Sequence, residues 1–325
     1  MYSVIKGVGH AVPERVLTNQ QLEEMVDTND EWIVQRTGIR ERRITDANTA
    51  TSDLAIQAAR QALENAQVAP EDLDLIIVAT VTPDHAFPST SCLLQRELEA
   101  WGAAAFDIEA ACTGFIYCLS IADQFIKSGT YRTVLVLGAE TLSKITDYTD
   151  RNTCILFGDG AGAAVLQAGE EPGLMAVEIG ADGRGGELLV QPAGGSRNPA
   201  STETVKNRQH FIKMAGREVF KFAVRIMVES SKRVLEQAGI SGQDLALLVP
   251  HQANLRIIDS ACKRLAVDPE KVVVNLDRYG NMSAASIPIA LSEAAQQGRI
   301  APGDHVLLVG FGGGLTWGAA VIKWK

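Results

Sequence analysis

An internal repeat is the feature of this 325-residue sequence that most restricts its fold. Residues 63–78, LENAQVAPEDLDLIIV, match residues 235–250, LEQAGISGQDLALLVP, at an offset of 172 residues. Each copy has the pattern of a helix end, a turn and a buried strand. There is a second pair of similar segments. Residues 133–140 followed by 157–166 resemble residues 305–322. The repeat predicts two copies of one α/β unit in the chain.

The two copies are expected to meet near residues 170–173, which divides the chain into 1–171 and 172–325. Neither half need be an independent domain, and the halves could share a central helical layer. Continuous runs of Val, Ile and Leu are typical of strands that are covered on both faces. In this sequence such runs alternate with amphipathic segments typical of helices, and this alternation predicts a layered α/β fold. The predicted strands are 73–80, 133–140, 161–168, 245–250, 271–276 and 305–312, and the predicted helices are 52–66, 89–100, 113–128, 217–238 and 284–297.

Composition and charge narrow the class of protein. The chain carries 30 Lys and Arg against 39 Asp and Glu, a net charge of −9, so nucleic acid and anionic membranes are not expected partners. Its first residues, MYSVIKGVGH, lack the apolar core of a signal peptide, and no apolar run approaches the ~18 residues of a membrane span. The five cysteines are irregularly spaced, which fits reduced thiols better than a disulfide framework or a zinc site. These observations predict a cytoplasmic protein.

One cysteine, Cys112, lies where a predicted strand runs into an apolar helix, within AAAFDIEAACTGFIYCLSIADQFI at 103–126. Unpaired N–H groups and the dipole at the start of a helix favour an anion, and the thiolate is the reactive form of cysteine. The flanking alanines and Gly114 leave room for an acyl group. Taken alone, the position also suits a small apolar side chain in a packed turn, which is the commoner case.

Two polar residues and a glycine run stand at the ends of other predicted elements. His251 follows a buried strand in PHQANLRII, and Asn281 follows Gly280 in GNMSAASIPIAL before a helix. Element ends are where catalytic groups usually lie, although a lone His is more often structural and a lone Asn more often an N-cap. The run GFGGGLTWGAA at 310–320 lets backbone amides approach a ligand, and it lacks the spacing of a phosphate or dinucleotide loop. Together the three segments favour an enzyme with a cysteine nucleophile.

Six motifs, in order along nearly the whole chain, resemble those of the β-ketoacyl-acyl-carrier-protein (ACP) synthase III family of the thiolase superfamily. The resemblance implies a thiolase-like layered αβαβα fold of two repeated halves, usually in a homodimer. It also implies decarboxylative condensation of an acyl-CoA primer, with acetyl-CoA expected, and malonyl-ACP to give 3-oxoacyl-ACP, CoA and CO₂. This reaction initiates fatty acid synthesis and needs no metal or cofactor. The motifs are DEWIVQRTGIRERR at 30–43, ACTGF at 111–115, RNTCILFGDGAGA at 151–163, PHQAN at 250–254, GNMSAASIP at 280–288 and GFGGGLTWG at 310–318.

The resemblance carries over a catalytic triad of Cys112, His251 and Asn281. Cys112 would attack the acyl-CoA thioester, while the backbone N–H groups of Cys112 and Gly313 hold the oxyanion. His251 and Asn281 would then donate hydrogen bonds to the thioester carbonyl of malonyl-ACP, so that loss of CO₂ leaves a stabilised carbanion that attacks the acyl group. Elongating synthases typically carry a second His at the position of Asn281, so the Asn indicates the initiating, CoA-primed branch. The lack of a Cys at 310–312 argues against a thiolase.

The resemblance also assigns the substrate contacts. Trp32 and Arg151 would sandwich the adenine of CoA, since an indole and a guanidinium both stack on a base. Phe87 would reach into the acyl pocket of the partner subunit. Each of these residues has a plainer interpretation as a half-buried anchor, a solvated cation or part of the core. The CoA set is Trp32, Arg36, Thr37, Arg151, Gly216 and Asn254, and the acyl set is Phe87, Leu142, Phe157 and Leu189.

An acidic chain needs a local basic patch to meet an acidic carrier protein. Residues 205–264 hold 11 Lys and Arg against 5 Asp and Glu, a net charge of +6. Four cations from Lys213 to Arg225 recur at intervals of four and share a face where the helix is continuous. We interpret the segment as a carrier-docking surface near the mouth above His251, with an ordinary solvated helix face as the alternative. The docking set is Lys221, Gln252, Ala253, Asn254, Leu255, Arg256, Lys263 and Arg264.

Other interpretations stay open. The polar stretch 182–208 is interpreted as a surface excursion, with a functional lid as the alternative. A related condensing enzyme or acyltransferase would use a longer or branched acyl-CoA in secondary metabolism. A cysteine acyltransferase or thioester hydrolase would not condense, and Asn281 weighs against it. A non-catalytic acyl-CoA-binding protein would have lost the nucleophile or its partners, and the intact triad weighs against it.

Overall fold

The protein folds around two β-sheets, and the computed structural model describes residues 1–325. The strands are β1 (Tyr2–Ala11), β2 (Val16–Thr18), β3 (Glu41–Arg43), β4 (Leu75–Ala79), β5 (Ala104–Ile108), β6 (Thr133–Thr141), β7 (Asp159–Gly169), β8 (Leu174–Ala181), β9 (Leu189–Val190), β10 (Lys213–Met214), β11 (Leu245–Pro250), β12 (His305–Gly312) and β13 (Thr316–Lys323). The helices are α1 (Asn19–Glu23), α2 (Asp30–Thr37), α3 (Thr51–Ala66), α4 (Thr90–Leu98), α5 (Gly114–Lys127), α6 (Thr202–Lys206), α7 (Gly216–Ala238), α8 (Leu255–Leu265), α9 (Leu276–Tyr279) and α10 (Ser286–Gln296).

The two sheets have the same topology. The five-stranded sheet has the order β1-β7-β6-β4-β5, and the four-stranded sheet has the matching order β8-β13-β12-β11. In each, a parallel pair, β4 with β6 or β11 with β12, is extended by two antiparallel strands. The change from one sheet to the other falls between Gly169 and Leu174.

The offset of 172 residues extends well beyond the segments that reveal it in the sequence. It relates the start of β6 to the start of β12, and it relates the short 3₁₀ turn Ala111–Thr113 to the turn Ser283–Ala285. Each turn opens a buried helix, α5 or α10, and both helices contact strands of both sheets. Helices α3 and α7 cover the outer faces of the two sheets. The layers are therefore αβαβα, as predicted.

Burial explains why the strands have continuous apolar runs. Every residue of β4, from Leu75 to Ala79, is buried, because helices cover both faces of the sheet. The same holds for β6 and for most of β12. No helix of the protein is both long enough and apolar enough to cross a membrane.

The predicted strand at 271–276 is wrong. Only Val272 forms a bridge to β11, at the position that β5 occupies in the other half. Beyond Val272, the buried side chain of Gln252 makes the backbone hydrogen bonds that a neighbouring strand would make. Its amide donates to the carbonyl of Val273 at 2.9 Å, and its oxygen accepts from the N–H of Asn275 at 3.0 Å. The backbone groups are satisfied without a sheet, and the chain turns into α9.

The stretch 182–208 is an excursion from the second sheet, as predicted. It contains the 3₁₀ turn Gly183–Leu188, strand β9 and the short helix α6, and β9 pairs with β10 on the return path. Arg208 ties its far end to the buried carboxylate of Asp147 by hydrogen bonds and an ion pair. The excursion is therefore anchored to the body of the protein at both ends.

We expect Gly138→Ala on β6 to destabilise the protein. A Cβ at Gly138 would lie 2.0 Å from the carbonyl oxygen of Ala284, a backbone atom of the opposite half. Since that atom cannot move without separating two layers, we expect a loss of about 1–3 kcal/mol in the free energy of unfolding, measured by urea denaturation. Gly102→Ala is the control, because nothing lies within 4 Å of its Cβ. Equal unfolding midpoints for the two variants would contradict this packing.

Candidate active site

Cys112 lies in the turn between β5 and α5, as predicted, and its side chain is only 7% exposed. The turn is tight, since Ala111 has a positive φ of 46°. Two hydroxyls fix the start of this turn. Those of Thr113 and Thr316 donate to the carbonyl oxygen of Ala110, at 2.7 and 3.0 Å. The nucleophile candidate is therefore fixed by both its own half and the hairpin of β12 and β13.

The glycines at the end of β12 let the backbone approach this turn. A Cβ at Gly312 would lie 2.6 Å from the backbone nitrogen of Cys112, and one at Gly310 would lie 3.6 Å from its carbonyl oxygen. Gly313 follows, beside Ala111. The glycine run thus serves close backbone approach, and it keeps side chains away from the amide of Cys112.

His251 follows β11 directly and is almost completely buried. Its Nδ1 lies 2.6 Å from the hydroxyl of Ser286, whose oxygen also accepts from the N–H of Gln252 at 3.5 Å. We assign the Nδ1 contact as donation from the Ser286 hydroxyl, which places the ring proton on Nε2. Nε2 is buried and has no hydrogen-bond partner within the protein. Burial lowers the pKa of His251 to about 3, so the ring is a neutral donor aimed at the site.

Asn281 is placed by a backbone bridge between α9 and the first half. Its N–H donates to the carbonyl of Leu156 at 2.8 Å, and its carbonyl accepts from Gly158 at 3.0 Å. The side-chain oxygen accepts from the N–H of Ser283 at 2.8 Å. The remaining amide hydrogens of Asn281 face the cavity that also contains Cys112 and His251. The three predicted triad residues are therefore brought together.

Burial dominates the electrostatics of the cysteine. It raises the pKa of the Cys112 thiol to about 12, although the nearby Ser283 side chain acts in the opposite direction. The sequence had indicated a stabilised thiolate at a helix start. In the structure desolvation outweighs that effect, so the resting group is a thiol.

Two cavities meet at Cys112. One, of about 780 Å³, is largely apolar and lies beneath the nucleophile. The other, of about 740 Å³, runs from Cys112 to an exposed mouth beside Trp32. Phe157 and Leu189 contribute to both cavities. Leu189 belongs to β9, so the polar excursion does supply a wall of the site.

The predicted acyl-pocket residues divide into two groups. Leu142, Phe157 and Leu189 line the apolar cavity. Phe87 does not, because its side chain is 87% exposed and points away from the cavity of its own chain.

The predicted CoA residues surround the second cavity. Trp32, Arg36, Thr37, Gly216 and Asn254 line it. The guanidinium groups of Arg36 and Arg151 lie 4.6 and 5.2 Å from the centre of the Trp32 ring. The hydroxyl of Thr37 donates to the carbonyl of Ile33 within its own helix, at 2.7 Å, so it has no free hydrogen for a ligand.

The predicted docking set needs one correction. Gln252 is completely buried and holds backbone groups, so it is not available to a partner. Lys263 and Arg264 lie in the last turn of α8, about 12 Å along the helix from Arg256 at 1.5 Å per residue, and their part in docking stays a prediction. Lys213 belongs to β10 and not to the helix, which begins at Gly216.

Five other residues of the docking set are at the mouth. Lys221, Ala253, Asn254 and Arg256 line the second cavity, and Leu255 is half-buried beside Gly38. Asn254 also caps α8, since its side-chain oxygen accepts from the N–H of Arg256 at 2.9 Å, while its amide donates to the carbonyl of Arg36.

Sequence reasoning missed three polar residues of the site. The hydroxyl of Ser286 orients His251, the backbone N–H of Ser283 orients Asn281, and Glu140 is buried at the end of β6, the strand that packs against the turn of Ser283. The only sequence signal for Ser283 and Ser286 is their place in GNMSAASIP, and Glu140 has only its position at the end of a strand.

Two family models match the chain. One, described as 3-oxoacyl-[acyl-carrier-protein (ACP)] synthase III, matches residues 106–183. The other, described as the C-terminal part of the same enzyme, matches residues 235–324. The first range contains Cys112, and the second contains His251 and Asn281.

Whole-chain relatives agree with this. A β-ketoacyl-[acyl-carrier-protein] synthase III of Desulfitobacterium hafniense strain Y51 is 61% identical over 322 residues, which cover 99% of this chain and 97% of the relative. The protein of the same name from Natranaerobius thermophilus is 59% identical over 324 residues and 98% of each chain. The crystal structure of 3-oxoacyl-[acyl-carrier-protein] synthase III from Aquifex aeolicus VF5 superposes with a TM-score of 0.92 at 50% identity, covering 99% of this chain and 100% of that one.

We expect the imidazole of His251 to stay neutral between pH 5 and pH 9. Its pKa falls from the usual 6.5 to about 3, so the ring takes up no proton over this range. Imidazole ¹⁵N NMR should show a protonated Nε2 whose chemical shift does not titrate, with a His251→Gln variant assigning the signal. A titration midpoint near pH 6.5 would contradict the buried, neutral assignment.

Proposed function

The chain belongs to the β-ketoacyl-[acyl-carrier-protein] synthase III family, and we propose that it forms an acyl-Cys112 intermediate from acetyl-CoA and condenses it with malonyl-ACP. The enzyme is an acyltransferase, a condensing enzyme that initiates fatty acid synthesis. The observation that carries the assignment of roles is a pair of neutral donors beside the buried cysteine. These are Nε2 of His251, which has no partner, and the side-chain amide of Asn281.

The first half-reaction uses the two cavities. The thioester enters through the second cavity and presents its carbonyl carbon to the sulfur of Cys112, while the acyl group enters the apolar cavity. The backbone N–H groups of Cys112 and Gly313 receive the oxyanion, in the space that Gly312 keeps clear. Collapse of the adduct breaks the bond to the sulfur of CoA and leaves acyl-Cys112.

The second half-reaction depends on His251 and Asn281. Both donate to the thioester carbonyl of the malonyl group, where negative charge collects as CO₂ leaves. Because both donors are uncharged and already fixed by Ser286 and Ser283, they need no reorganisation when that charge appears. The resulting carbanion attacks acyl-Cys112, and the thiolate leaves. These steps use only groups of the protein and its substrates, which supports a reaction without a metal or cofactor.

The nucleotide end of CoA would bind at Trp32. A base stacked between Trp32 and Arg151 needs about 7 Å, twice a contact distance of ~3.5 Å, and the two groups are 5.2 Å apart. Arg151 is held in place by the exposed Asp27, at 2.9 Å to its carbonyl and 3.3 Å to its carboxylate. Exposed ion pairs of this kind are weak, so Arg151 can swing away to admit the adenine. Arg36 then supplies a second cation beside the ring.

The carrier protein would dock at the mouth of the second cavity. Lys221 and Arg256 are exposed there, and Arg217 lies next to them. Their positive charge offsets the net charge of −9 at the one place where an acidic carrier must approach. Phe87, exposed on its own chain, would complete the apolar cavity of a second subunit in a homodimer.

A longer or branched primer is the second candidate, favoured by the volume of the apolar cavity. About 780 Å³ is far more than an acetyl group fills. Comparing acetyl-CoA with branched and longer acyl-CoA substrates in one condensation assay decides between them. A higher kcat/KM for the branched substrate would overturn acetyl-CoA as the primer.

Replacing Asn281 should separate the two half-reactions. In Asn281→Ala we expect acylation of Cys112 by acetyl-CoA to persist, while CO₂ release from malonyl-ACP falls by about 10²–10³-fold, since one carbonyl donor is lost. Cys112→Ser should form no product. Intact-protein mass spectrometry follows acylation, and ¹⁴CO₂ release follows decarboxylation.

Asn48 is exposed, and Asn48→Ala is the matched control for that experiment. This variant should behave like wild type in both half-reactions. Equal losses in both half-reactions of Asn281→Ala would overturn the donor role. Wild-type acylation without CO₂ release would indicate a transferase or hydrolase instead of a condensing enzyme.

Reversing the charges at the mouth should weaken carrier docking. We expect the double variant Lys221→Glu, Arg256→Glu to lower kcat/KM for malonyl-ACP by about tenfold or more at low salt, and less at high salt, because salt screens the attraction. The control carries the same charge change at two exposed cations that line neither cavity, Arg60→Glu with Arg132→Glu. Equal effects of the two double variants would contradict a docking site at the mouth.

A further inference from the structure

Helix α9, which leads into Asn281, is too short to be stable by itself. It contains only four residues, Leu276–Tyr279, and Asn281 lies two residues beyond its end. A single turn of helix makes too few hydrogen bonds to offset the cost of ordering its backbone. The position of α9 must therefore be set by groups outside the helix.

The repeat shows which support α9 lacks. The offset of 172 residues relates Leu276–Tyr279 to residues 104–107, which belong to β5 and lead to Cys112 in the other half. Strand β5 is fixed by parallel pairing with β4 along its whole length. The segment before Asn281 is a helix and belongs to neither sheet. It therefore needs an anchor other than a strand ladder.

Glu293 of α10 supplies this anchor. Its carboxylate accepts from the hydroxyl of Tyr279 at 2.6 Å, from the side-chain amide of Asn275 at 2.8 Å and from the guanidinium of Arg278 at 3.1 and 3.3 Å. Asn275 directly precedes α9, and the other two are its last residues. One carboxylate thus bonds to both ends of the helix.

The environment of Glu293 differs from that of a surface ion pair. Its side chain is 11% exposed, while that of Arg278 is 45% exposed. Burial acts to raise the pKa of Glu293, but the hydrogen bonds outweigh it, so the pKa is lowered and the group stays charged. Asn275 turns its amide hydrogens to this charge and leaves its buried Oδ1 without a partner, at a cost of about 1–3 kcal/mol. The side chain of Asn275 is thus committed to Glu293.

The helix that carries Glu293 also holds the other carbonyl donor. Ser286, the first residue of α10, contacts Nδ1 of His251 at 2.6 Å. Glu293 is seven residues, or two turns, further along, so both side chains lie on one face, about 10 Å apart along the axis. The helix is buried from Ser286 to Ala294 and packs against strands of both sheets. One rigid helix therefore sets the positions of His251 and of α9 together.

We propose that Glu293 is a positioning residue for decarboxylation, which fixes α9 against α10 and so holds the side-chain amide of Asn281 beside Nε2 of His251. The inference rests on the proposed function, in which both groups donate to one carbonyl oxygen. Two donors share an oxygen only within a narrow range of positions, and a displacement of about 1 Å can cost about 10²-fold in rate. Acylation of Cys112 does not use Asn281, so it should not depend on Glu293.

Glu293→Gln tests the proposal, because the amide nitrogen of glutamine only donates and cannot accept from Asn275 or Arg278. In the full-length protein we expect CO₂ release from malonyl-ACP to fall by about 10–10²-fold, while acylation by acetyl-CoA stays within about threefold of wild type. Tyr279→Phe removes one hydrogen bond and keeps the carboxylate. It should lower CO₂ release alone, by a smaller factor, even if Glu293→Gln fails to fold.

A double variant supplies a readout that a merely structural role would not move. Glu293→Gln is combined with Asn281→Ala, and ¹⁴CO₂ release is compared with that of Asn281→Ala alone. The effect of Glu293→Gln should disappear, because the group that Glu293 positions is already absent.

Asp123→Asn on α5 is the matched control. Asp123 is also buried, accepts from the hydroxyl of Ser3 at 2.8 Å and pairs with a half-exposed cation, Lys127. This variant removes a buried carboxylate of the same kind from the equivalent helix, and its ratio of CO₂ release to acylation should stay that of wild type. Urea denaturation of all variants shows which are folded under the assay conditions.

Crystal structures of wild type and Glu293→Gln without substrate test the placement directly. We expect the Asn281 amide to be displaced in the variant, while Ser286 and His251 keep their positions. An unmoved Asn281, equal losses in both half-reactions or an undiminished effect in the Asn281→Ala background would each overturn the proposal. Wild type that acylates Cys112 but releases no CO₂ would instead refute the proposed function, and the crystal structures would still decide whether Glu293 places Asn281.

Discussion

The contact between the turns Ala111–Thr113 and Ser283–Ala285 is the constraint on which the site depends. The two turns are equivalent in the repeat, and each begins a buried helix of the central layer. Glycines on β6 and β12 allow this contact, because any Cβ at Gly138 or Gly312 would overlap backbone of the other element. The fold thus brings one segment of each half together, with the nucleophile on one side and the carbonyl donors on the other.

Burial sets the chemistry at that contact. It holds His251 neutral and Cys112 protonated, and it brings the pKa of Glu140 close to neutrality. Each group is then fixed by a hydroxyl or an amide rather than by an ion pair. A dry site of this kind strengthens every hydrogen bond to developing charge.

Much of the fold was predictable from the sequence, because the repeat and the continuous apolar runs reflect burial in layers. The same reasoning failed at 271–276, where the apolar pattern is that of a strand but a side chain, Gln252, takes the backbone hydrogen bonds. The outer strands β1 and β8 were not predicted, since each is paired along one edge only and has a mixed burial pattern.

The site was predictable as far as motifs mark it. The triad was identified in this way, and its three members do lie together. The burial of Gln252 depends on packing that the sequence does not display. Glu140 has no motif of its own, and only the structure shows that it is buried.

The meeting of two cavities at a single sulfur has a kinetic consequence. Under the proposed function, the nucleotide-bearing thioester and the carrier-bound thioester must both reach Cys112 through the channel beside Trp32. Two thiol arms cannot occupy it together, so the first product has to depart before the second substrate arrives. The acyl group waits meanwhile in the apolar cavity. The architecture therefore imposes a ping-pong order, in which free CoA competes with the incoming carrier for one passage.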